Sequence, residues 1–169
     1  MCIRDRGKAV FVYEGGIRNS MYRFKYGNKR EYAEFYANAA VEKYGVWLNK
    51  IKAEVLIPIP MYSRKKRLRG YNQAEVFARK LGRKAGILVD EHLVRRVRNT
   101  IPQKELNESQ HRNLKNAFQL TADIVEYKRV VLVDDIYTTG STMDEVSKVL
   151  KASGVENIYY ICISIGEGY

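Results

Sequence analysis

Short apolar runs alternate along the chain with longer segments whose apolar residues recur at helical spacing. The runs predict strands at residues 9–13, 54–60, 92–96, 130–133 and 157–163. The longer segments predict helices at residues 17–26, 30–48, 72–85, 108–115 and about 142–152. Strands that alternate with helices are typical of an α/β fold with a mostly parallel sheet flanked by helices.

The pattern indicates one domain around one hydrophobic core. A chain of 169 residues suits such a core, and no repeat or low-complexity linker marks a boundary. Residues 1–8 are polar and aperiodic, so we expect the folded unit to comprise residues 9–169. No run approaches the roughly 18 apolar residues of a membrane span, and no membrane insertion is expected.

The strand at residues 130–133 is the most informative segment. Four consecutive apolar residues, three of them valine, predict a central strand buried on both faces. Asp134 and Asp135 follow directly, at the carboxyl end, where ligands of open α/β sheets bind. An ionised carboxylate accepts hydrogen bonds from two neighbouring sugar hydroxyls. Because successive strand residues point to opposite faces, both acids reach one ligand only if the strand ends there.

A loop of hydroxyl residues and a glycine follows the two acids. The hydroxyls are donors for a phosphate, and the glycine permits close backbone approach or positive φ. We expect a capping box with Thr142 at the cap and Glu145 three residues later, so that the helix start also favours an anion. Acids and loop together predict a site for a phosphorylated ribose. The loop residues are Thr138, Thr139, Gly140, Ser141 and Thr142.

Three other interpretations of this segment were compared. An ordinary turn with Asp and Thr as caps is the simplest alternative. A P-loop NTPase is excluded because G-x-x-x-x-G-K-[ST] is absent from the sequence. A dinucleotide fold is excluded because G-x-G-x-x-G follows none of the predicted strands.

Positive charge is the outlying feature of the composition. The sequence has 30 Lys and Arg against 19 Asp and Glu, a formal net charge of +11, which favours polyanionic partners. A basic run follows the second strand and should lie on the same rim as Asp134. As a mobile loop it could neutralise a pyrophosphate or bind nucleic acid, or it could be a solvated surface. The run includes Arg64, Lys65, Arg67 and Arg69.

Cysteine and histidine are too scarce for a metal framework or a disulfide framework. The two cysteines, Cys2 and Cys162, make a reducing cytoplasm the default expectation. Cys162 lies in an apolar strand and is expected to be a small buried side chain. Together with His92 and His111 the cysteines are too scattered for a tetrahedral zinc, and no C-x-x-C occurs.

Residues 130–142 resemble the phosphoribosyl-pyrophosphate (PRPP) signature of type I phosphoribosyltransferases. Further motifs are similar to the ComF branch of that family, which is associated with DNA uptake and competence. The resemblance covers nearly the whole chain after about Val10, although the zinc ribbon with which members often begin is absent. The further motifs are at residues 13–18, 24–27, 67–74, 100–103 and 112–118.

The resemblance implies a type I phosphoribosyltransferase fold, with a twisted sheet, flanking helices and a small hood. It implies that Asp134 and Asp135 bind the ribose hydroxyls, that residues 138–142 bind the 5′-phosphate, and that the basic run binds pyrophosphate. Mg²⁺ would arrive with the diphosphate, and no protein-bound metal or structural zinc is expected. Polar residues that could line the acceptor pocket are Tyr71, Asn72, Gln73 and Gln103.

Two functions remain open from the sequence. One is an enzyme that transfers phosphoribosyl from PRPP to an acceptor and releases pyrophosphate. The other is a PRPP-binding accessory protein of DNA uptake that binds a competence helicase or single-stranded DNA. The basic run supports both, because both ligands are polyanions.

Overall fold

The computed structural model describes residues 7–98, 116–122 and 125–166. Its strands are β1 (Gly7–Val12), β2 (Val55–Pro58), β3 (Leu88–Val89), β4 (Val94–Arg96), β5 (Phe118–Leu120), β6 (Arg129–Tyr137) and β7 (Asn157–Ile165). Its helices are α1 (Gly15–Tyr26), α2 (Tyr32–Lys50), α3 (Ser63–Arg69), α4 (Gln73–Ala85) and α5 (Ser141–Ala152). None of the helices in these ranges combines the length and apolar character needed to cross a membrane.

Five strands form a parallel sheet in the order β1-β7-β6-β2-β3. β4 and β5 pair antiparallel as a separate two-stranded sheet. Helices pack on both faces of the large sheet, so the expected α/β fold with a mostly parallel sheet is confirmed.

The centre of the sheet is buried on both faces, as the apolar run in β6 predicted. Val130 and Leu132 pack into one core with α5, whereas Val131 and Val133 pack into the other with α1, α2 and α4. All four side chains are fully buried. Burial of apolar surface on both faces fixes β6 in the middle of the fold.

The chain connections leave a crevice at the carboxyl ends of β2 and β6. β2 continues through α3 and α4 to β3 on one side, and β6 continues through α5 to β7 on the other. Such a change of direction between neighbouring strands is where open α/β sheets bind ligands.

β6 extends beyond its partner β2 at this crevice. The N–H of Ile59 donates to the carbonyl of Val133 at 2.8 Å, and the paired register of β2 with β6 stops there. β6 remains paired with β7 as far as Tyr137, opposite Ile165. The prediction that the strand ends before the acids was therefore wrong, because β7 continues to support it.

Two further predictions about elements need correction, and one strand was not predicted. β1 begins at Gly7, where its pairing with β7 begins, rather than at Ala9. The two-residue strand β3 has too short an apolar pattern to be predicted. The basic run is not an irregular loop but helix α3: Arg and Lys are good helix formers, and Gly70 ends the helix with φ 84°. The helix predicted at 108–115 lies outside the described residues.

Candidate functional site

The carboxylate of Asp134 lies in the crevice where β2 has ended. It accepts a hydrogen bond from the backbone N–H of Asp135 at 2.8 Å. The carbonyl of Val133 points toward β2, so by the alternation of a strand the N–H of Asp135 points the same way. Asp134 therefore bonds a backbone group that a longer β2 would have paired.

Asp135 forms an ion pair with a lysine from the first helix. The Nζ of Lys25 lies 2.9 Å from its Oδ2, and the two side chains are only 18% and 17% exposed. Burial on its own lowers the pKa of Lys25, but the charge and hydrogen bond of Asp135, with Asp134 beyond, raise it above its ordinary value. Lys25 is therefore a charged partner of the acid pair.

Burial and the neighbouring carboxylate of Asp135 raise the pKa of Asp134. Burial is the main cause and the charge of Asp135 the second, and together they raise the pKa to about 8. The Asp135 N–H, Lys25 and Arg96 act in the opposite direction. Asp134 is thus poised between its protonated and ionised forms near neutral pH.

Arg96, at the end of β4, connects the small antiparallel sheet to the acids. Burial lowers the pKa of Arg96, and the charge of Asp134 partly restores it. The guanidinium lies 5.4 Å from the centroid of the Phe118 ring on β5. We assign β4 and β5 as the expected hood, because this sheet contributes a cation to the rim of the large one.

A glycine in the left-handed region forms the bend between β6 and α5. Gly140 has φ 80°, and a Cβ there would collide with the hydroxyl of Tyr137. The hydroxyls of Thr139 and Ser141 lie 2.8 Å apart, and the Thr139 hydroxyl also accepts from the Ser141 N–H at 3.3 Å. These bonds fold the loop tightly over the strand end.

The helix start differs from the predicted capping box. α5 begins at Ser141 with Gly140 as its N-cap, and the N–H of Asp144 donates to the Gly140 carbonyl at 2.9 Å. Thr142 therefore lies in the first turn, and Glu145 pairs with Lys148 at 2.5 Å instead of reaching back. The predicted cap was two residues too late because Gly140 alone accommodates the bend.

Asp134 and the loop line one small cavity. Its volume is about 10 Å³, roughly the space of one water. Asp135 is not among its lining residues, because in the described part of the chain it faces Lys25. The acids therefore diverge: one faces the loop, the other faces α1. The lining residues are Asp134, Ile136, Tyr137, Thr138, Gly140, Thr142 and Met143.

The basic helix α3 lies at the same rim, since it follows β2. The charge of Arg69 acts on Lys25 and lowers its pKa, and the Arg69 guanidinium lies 5.0 Å from the Tyr26 ring. Arg64 and Arg67 are exposed, and Lys65 is half-buried. The run thus presents cations to solvent beside the crevice.

Three predicted acceptor residues are buried in the turn between α3 and α4. The hydroxyl of Tyr71 donates to the Phe24 carbonyl. Asn72 caps α4 by accepting from the Ala74 N–H at 3.1 Å, and its amide donates to the Ile59 carbonyl at 2.9 Å. Gln73 accepts from Arg69 at 2.8 Å. These contacts stabilise the turn; Gln103 lies outside the described residues.

Lys25 and Arg96 are the site residues that the sequence did not single out. Lys25 lies within the motif at residues 24–27, so the sequence contained a signal, but the role of the lysine in it was not predicted. Arg96 ends a predicted strand and has no local signal, because its relation to Asp134 exists only in the fold.

Cys162, opposite Asp134 on β7, is a fully buried free thiol. Its burial confirms the predicted small buried side chain, and burial and the two acids raise the pKa of the thiol. Across the residues described, no group of three or more His, Cys, Asp or Glu side chains could hold a metal ion.

A parallel sheet with a switch-point crevice, an acid pair and a hydroxyl loop before a helix define an α/β protein of the open, parallel-sheet class. A family model described as phosphoribosyl transferase domain matches residues 69–165. This match covers more than half of the chain, which therefore belongs to the phosphoribosyl transferase domain family.

Curated relatives confirm the resemblance to the ComF branch. Competence protein F of Haemophilus influenzae is 45% identical over 62% of this chain and 47% of the relative. The DNA utilization protein YhgH of Escherichia coli (strain K12) is 34% identical over 64% of this chain and 48% of the relative. Competence protein ComFC of Streptococcus pneumoniae is 26% identical over 89% of this chain and 64% of the relative. The chain spans about half the length of the first two.

Proposed function

We propose that the chain binds PRPP at this crevice and transfers its phosphoribosyl group to an acceptor, releasing pyrophosphate. The observation that carries the proposal is that Asp134 and the loop residues Thr138, Gly140 and Thr142 line one cavity at the switch point. Membership of the phosphoribosyl transferase domain family supports it. This function implies a cytoplasmic protein of nucleoside metabolism.

Each part of the site has a role in binding. The ionised carboxylate of Asp134 accepts hydrogen bonds from ribose hydroxyls. The hydroxyls of the loop and the first N–H groups of α5 bind the 5′-phosphate, which the helix dipole favours. The cations of α3, with Mg²⁺ held by the diphosphate oxygens, offset the charge of the pyrophosphate.

The transfer exchanges one bond at the anomeric carbon for another. A lone pair of the acceptor forms the new bond to C1, the C1–O bond breaks, and pyrophosphate leaves with the electron pair. The acceptor's proton passes to solvent. C1 becomes positively charged as the bonds exchange, and nearby carboxylates lower the energy of that state.

The loop must move for the phosphate to enter beneath it. A cavity of about 10 Å³ holds roughly one water, and the Thr139–Ser141 hydrogen bond keeps the loop folded. A phosphate would replace this internal bond with its own oxygens, so ligand binding itself can open the loop.

Calorimetry with Asp134→Asn tests the proposal. Wild-type protein should bind PRPP in the presence of Mg²⁺, and the variant should bind it at least about a hundredfold more weakly. Glu126→Gln, an exposed acid away from the crevice, is the matched control. Pyrophosphate release with a panel of bases and amines then tests transfer. Equal PRPP affinity for wild type and Asp134→Asn would contradict the proposal.

A second candidate function is an accessory role in DNA uptake, through binding of single-stranded DNA. Tyr22 and Tyr26 on α1 are 64% and 63% exposed, with ring centroids 5.1 Å apart. Arg69 lies over Tyr26, and the exposed cations of α3 adjoin it. Exposed aromatic rings beside cations are typical of surfaces on which bases stack.

Retention of a labelled single strand separates the two functions. Under the accessory function Tyr22→Ala/Tyr26→Ala weakens retention, retention falls steeply with salt, and no pyrophosphate is released. Phe35→Ala, which removes another exposed ring (55%) from α2, is the control. Pyrophosphate release without single-strand retention would exclude the accessory function.

A further inference from the structure

We infer that Lys25 is a substrate-binding residue whose ammonium contacts the diphosphate of the bound sugar, although none of the sequence patterns assigns it that role. The inference rests on the proposed function and deepens it, since it adds a cation from α1 to a site otherwise built from β6, α5 and α3.

Lys25 lies between the two halves of the proposed site. On one side its Nζ is 2.9 Å from Asp135, beside Asp134. On the other side it is close enough to Arg69 for the two positive charges to repel, and the next residue, Tyr26, carries the Arg69 guanidinium over its ring at 5.0 Å. A diphosphate on C1 of a ribose held by Asp134 would lie close to these cations.

The residues on either side of Lys25 fix its direction. Phe24 is fully buried and packs against Tyr36 and Tyr71, with ring centroids 5.5 and 5.9 Å away. The hydroxyl of Tyr71 donates to the Phe24 carbonyl, so the last turn of α1 is tied to the turn between α3 and α4. Lys25 therefore projects into the crevice from a rigid support.

The ion pair with Asp135 is suited to exchange partners. An ammonium has three donors, and one bond to Asp135 leaves others for a phosphate oxygen. Ribose hydroxyls that donate to Asp134 occupy lone pairs of that carboxylate. The attraction of the acid pair for the Lys25 ammonium is then weaker. The ammonium of Lys25 can then bind the diphosphate. The negative charge of the diphosphate also offsets the repulsion between Lys25 and Arg69.

Ribose 5-phosphate isolates the contribution of the diphosphate, because it lacks that group alone. Lys25→Met should weaken PRPP binding at least about tenfold, the loss of one charge-assisted hydrogen bond. The same variant should bind ribose 5-phosphate nearly as well as wild type. Lys25→Arg, which keeps the charge, should recover much of the PRPP affinity. Calorimetry measures all of these affinities.

Two controls keep the result interpretable. Lys29→Met removes an exposed lysine that pairs with Glu31 at 3.5 Å and should change neither affinity. Lys25→Met leaves Asp135 unpaired and could unfold the protein; Lys25→Met/Asp135→Asn removes both charges and avoids that cost. Compared with Asp135→Asn, the double variant should bind PRPP more weakly and ribose 5-phosphate equally well.

Each contrary result has a distinct meaning. Equal losses for PRPP and ribose 5-phosphate would show a structural role only and overturn the inference. Unchanged PRPP affinity in Lys25→Met would overturn it while the proposed function stands. If wild type binds no PRPP, the proposed function itself fails, and the inference falls with it.

Discussion

At the scale of single residues, Asp134 combines two opposing requirements. Burial and the neighbouring Asp135 raise its pKa to about 8, which disfavours the ionised form in the folded protein. The proposed ligand needs the same carboxylate as an acceptor of hydroxyl hydrogen bonds. Binding sites commonly contain such residues, which lower the stability of the folded protein but bind the ligand.

Asp134→Asn should therefore stabilise the fold, and more so at higher pH. The pKa of Asp134 is raised on folding, so its contribution to stability is fully present below about pH 4 and is lost as the pH rises toward 8. The amide does not titrate. We expect the free energy of unfolding to exceed that of wild type by roughly 1–3 kcal/mol at pH 8, and by less at pH 5. Urea unfolding at both pH values measures this; an equal difference at both would contradict it.

Gly140 shows how one backbone conformation shapes the loop. Gly140→Ala should destabilise the protein, because φ is 80° and the added Cβ collides with Tyr137. Gly154→Ala is the matched control: φ there is 99°, but no atom lies within 4 Å of an added Cβ. We expect Gly140→Ala to cost about 1 kcal/mol or more beyond the control, measured by urea unfolding. Equal losses would show that the Tyr137 contact is unimportant.

At the scale of elements, the basic helix α3 divides into anchoring and exposed cations. Lys66 forms hydrogen bonds of 2.7 and 2.8 Å with both carboxylate oxygens of Glu75, whose side chain is 11% exposed. This pair attaches α3 to α4. Arg64 points to solvent from the same helix. The basic helix therefore contributes both to the stability of the fold and to the positive charge beside the crevice.

Lys66→Met and Arg64→Met should separate these roles. Lys66→Met removes the cation that pairs with a mostly buried carboxylate and should lower the free energy of unfolding by about 1–3 kcal/mol. Arg64→Met should change it by less than about 0.5 kcal/mol and, under the proposed function, weaken PRPP binding. Urea unfolding and calorimetry on both variants check this. A large stability loss in Arg64→Met would contradict the division.

The sequence predicted those elements whose signal is local. A continuous apolar run was enough for the centre of β6, because burial on both faces requires it. α3 was missed because a basic run is compatible with both helix and loop; the cap at Gly70 and the bond to Glu75 decide between them. The position of α5 was missed for a related reason, since the bend at Gly140 fixes its start.

The acid pair and the loop were predictable, but their surroundings were not. Asp134 and residues 138–142 lie within nine residues of sequence, so spacing alone brings them to one strand end. Lys25 contacts Asp135 from α1, and the charge of Arg96 on β4 acts on Asp134. Contacts between elements far apart in sequence depend on packing, and the hydrophobic pattern of either segment does not contain them.

At the scale of the whole molecule, the net charge of +11 creates a field that favours polyanions. Under the proposed function, PRPP affinity should fall roughly tenfold between low and high salt, since added ions screen this attraction. Calorimetry over a salt series measures it. Neutral ribose should show no such dependence if it binds measurably, and a flat PRPP series would contradict a charge-driven contribution.

The unequal lengths of neighbouring strands have a consequence for the size of the ligand. β6 has nine residues and β2 has four, so the segment Asp134–Tyr137 extends roughly 13 Å past its last pairing with β2, at the usual rise per residue. Along that length the edge of β6 that faces β2 has no strand partner in β2, and the two crossover connections lie on either side of it. Lengthening β2 by two residues would cover about half of this edge, at the usual rise per residue, so the early strand end leaves an edge at which a small polar molecule can bind.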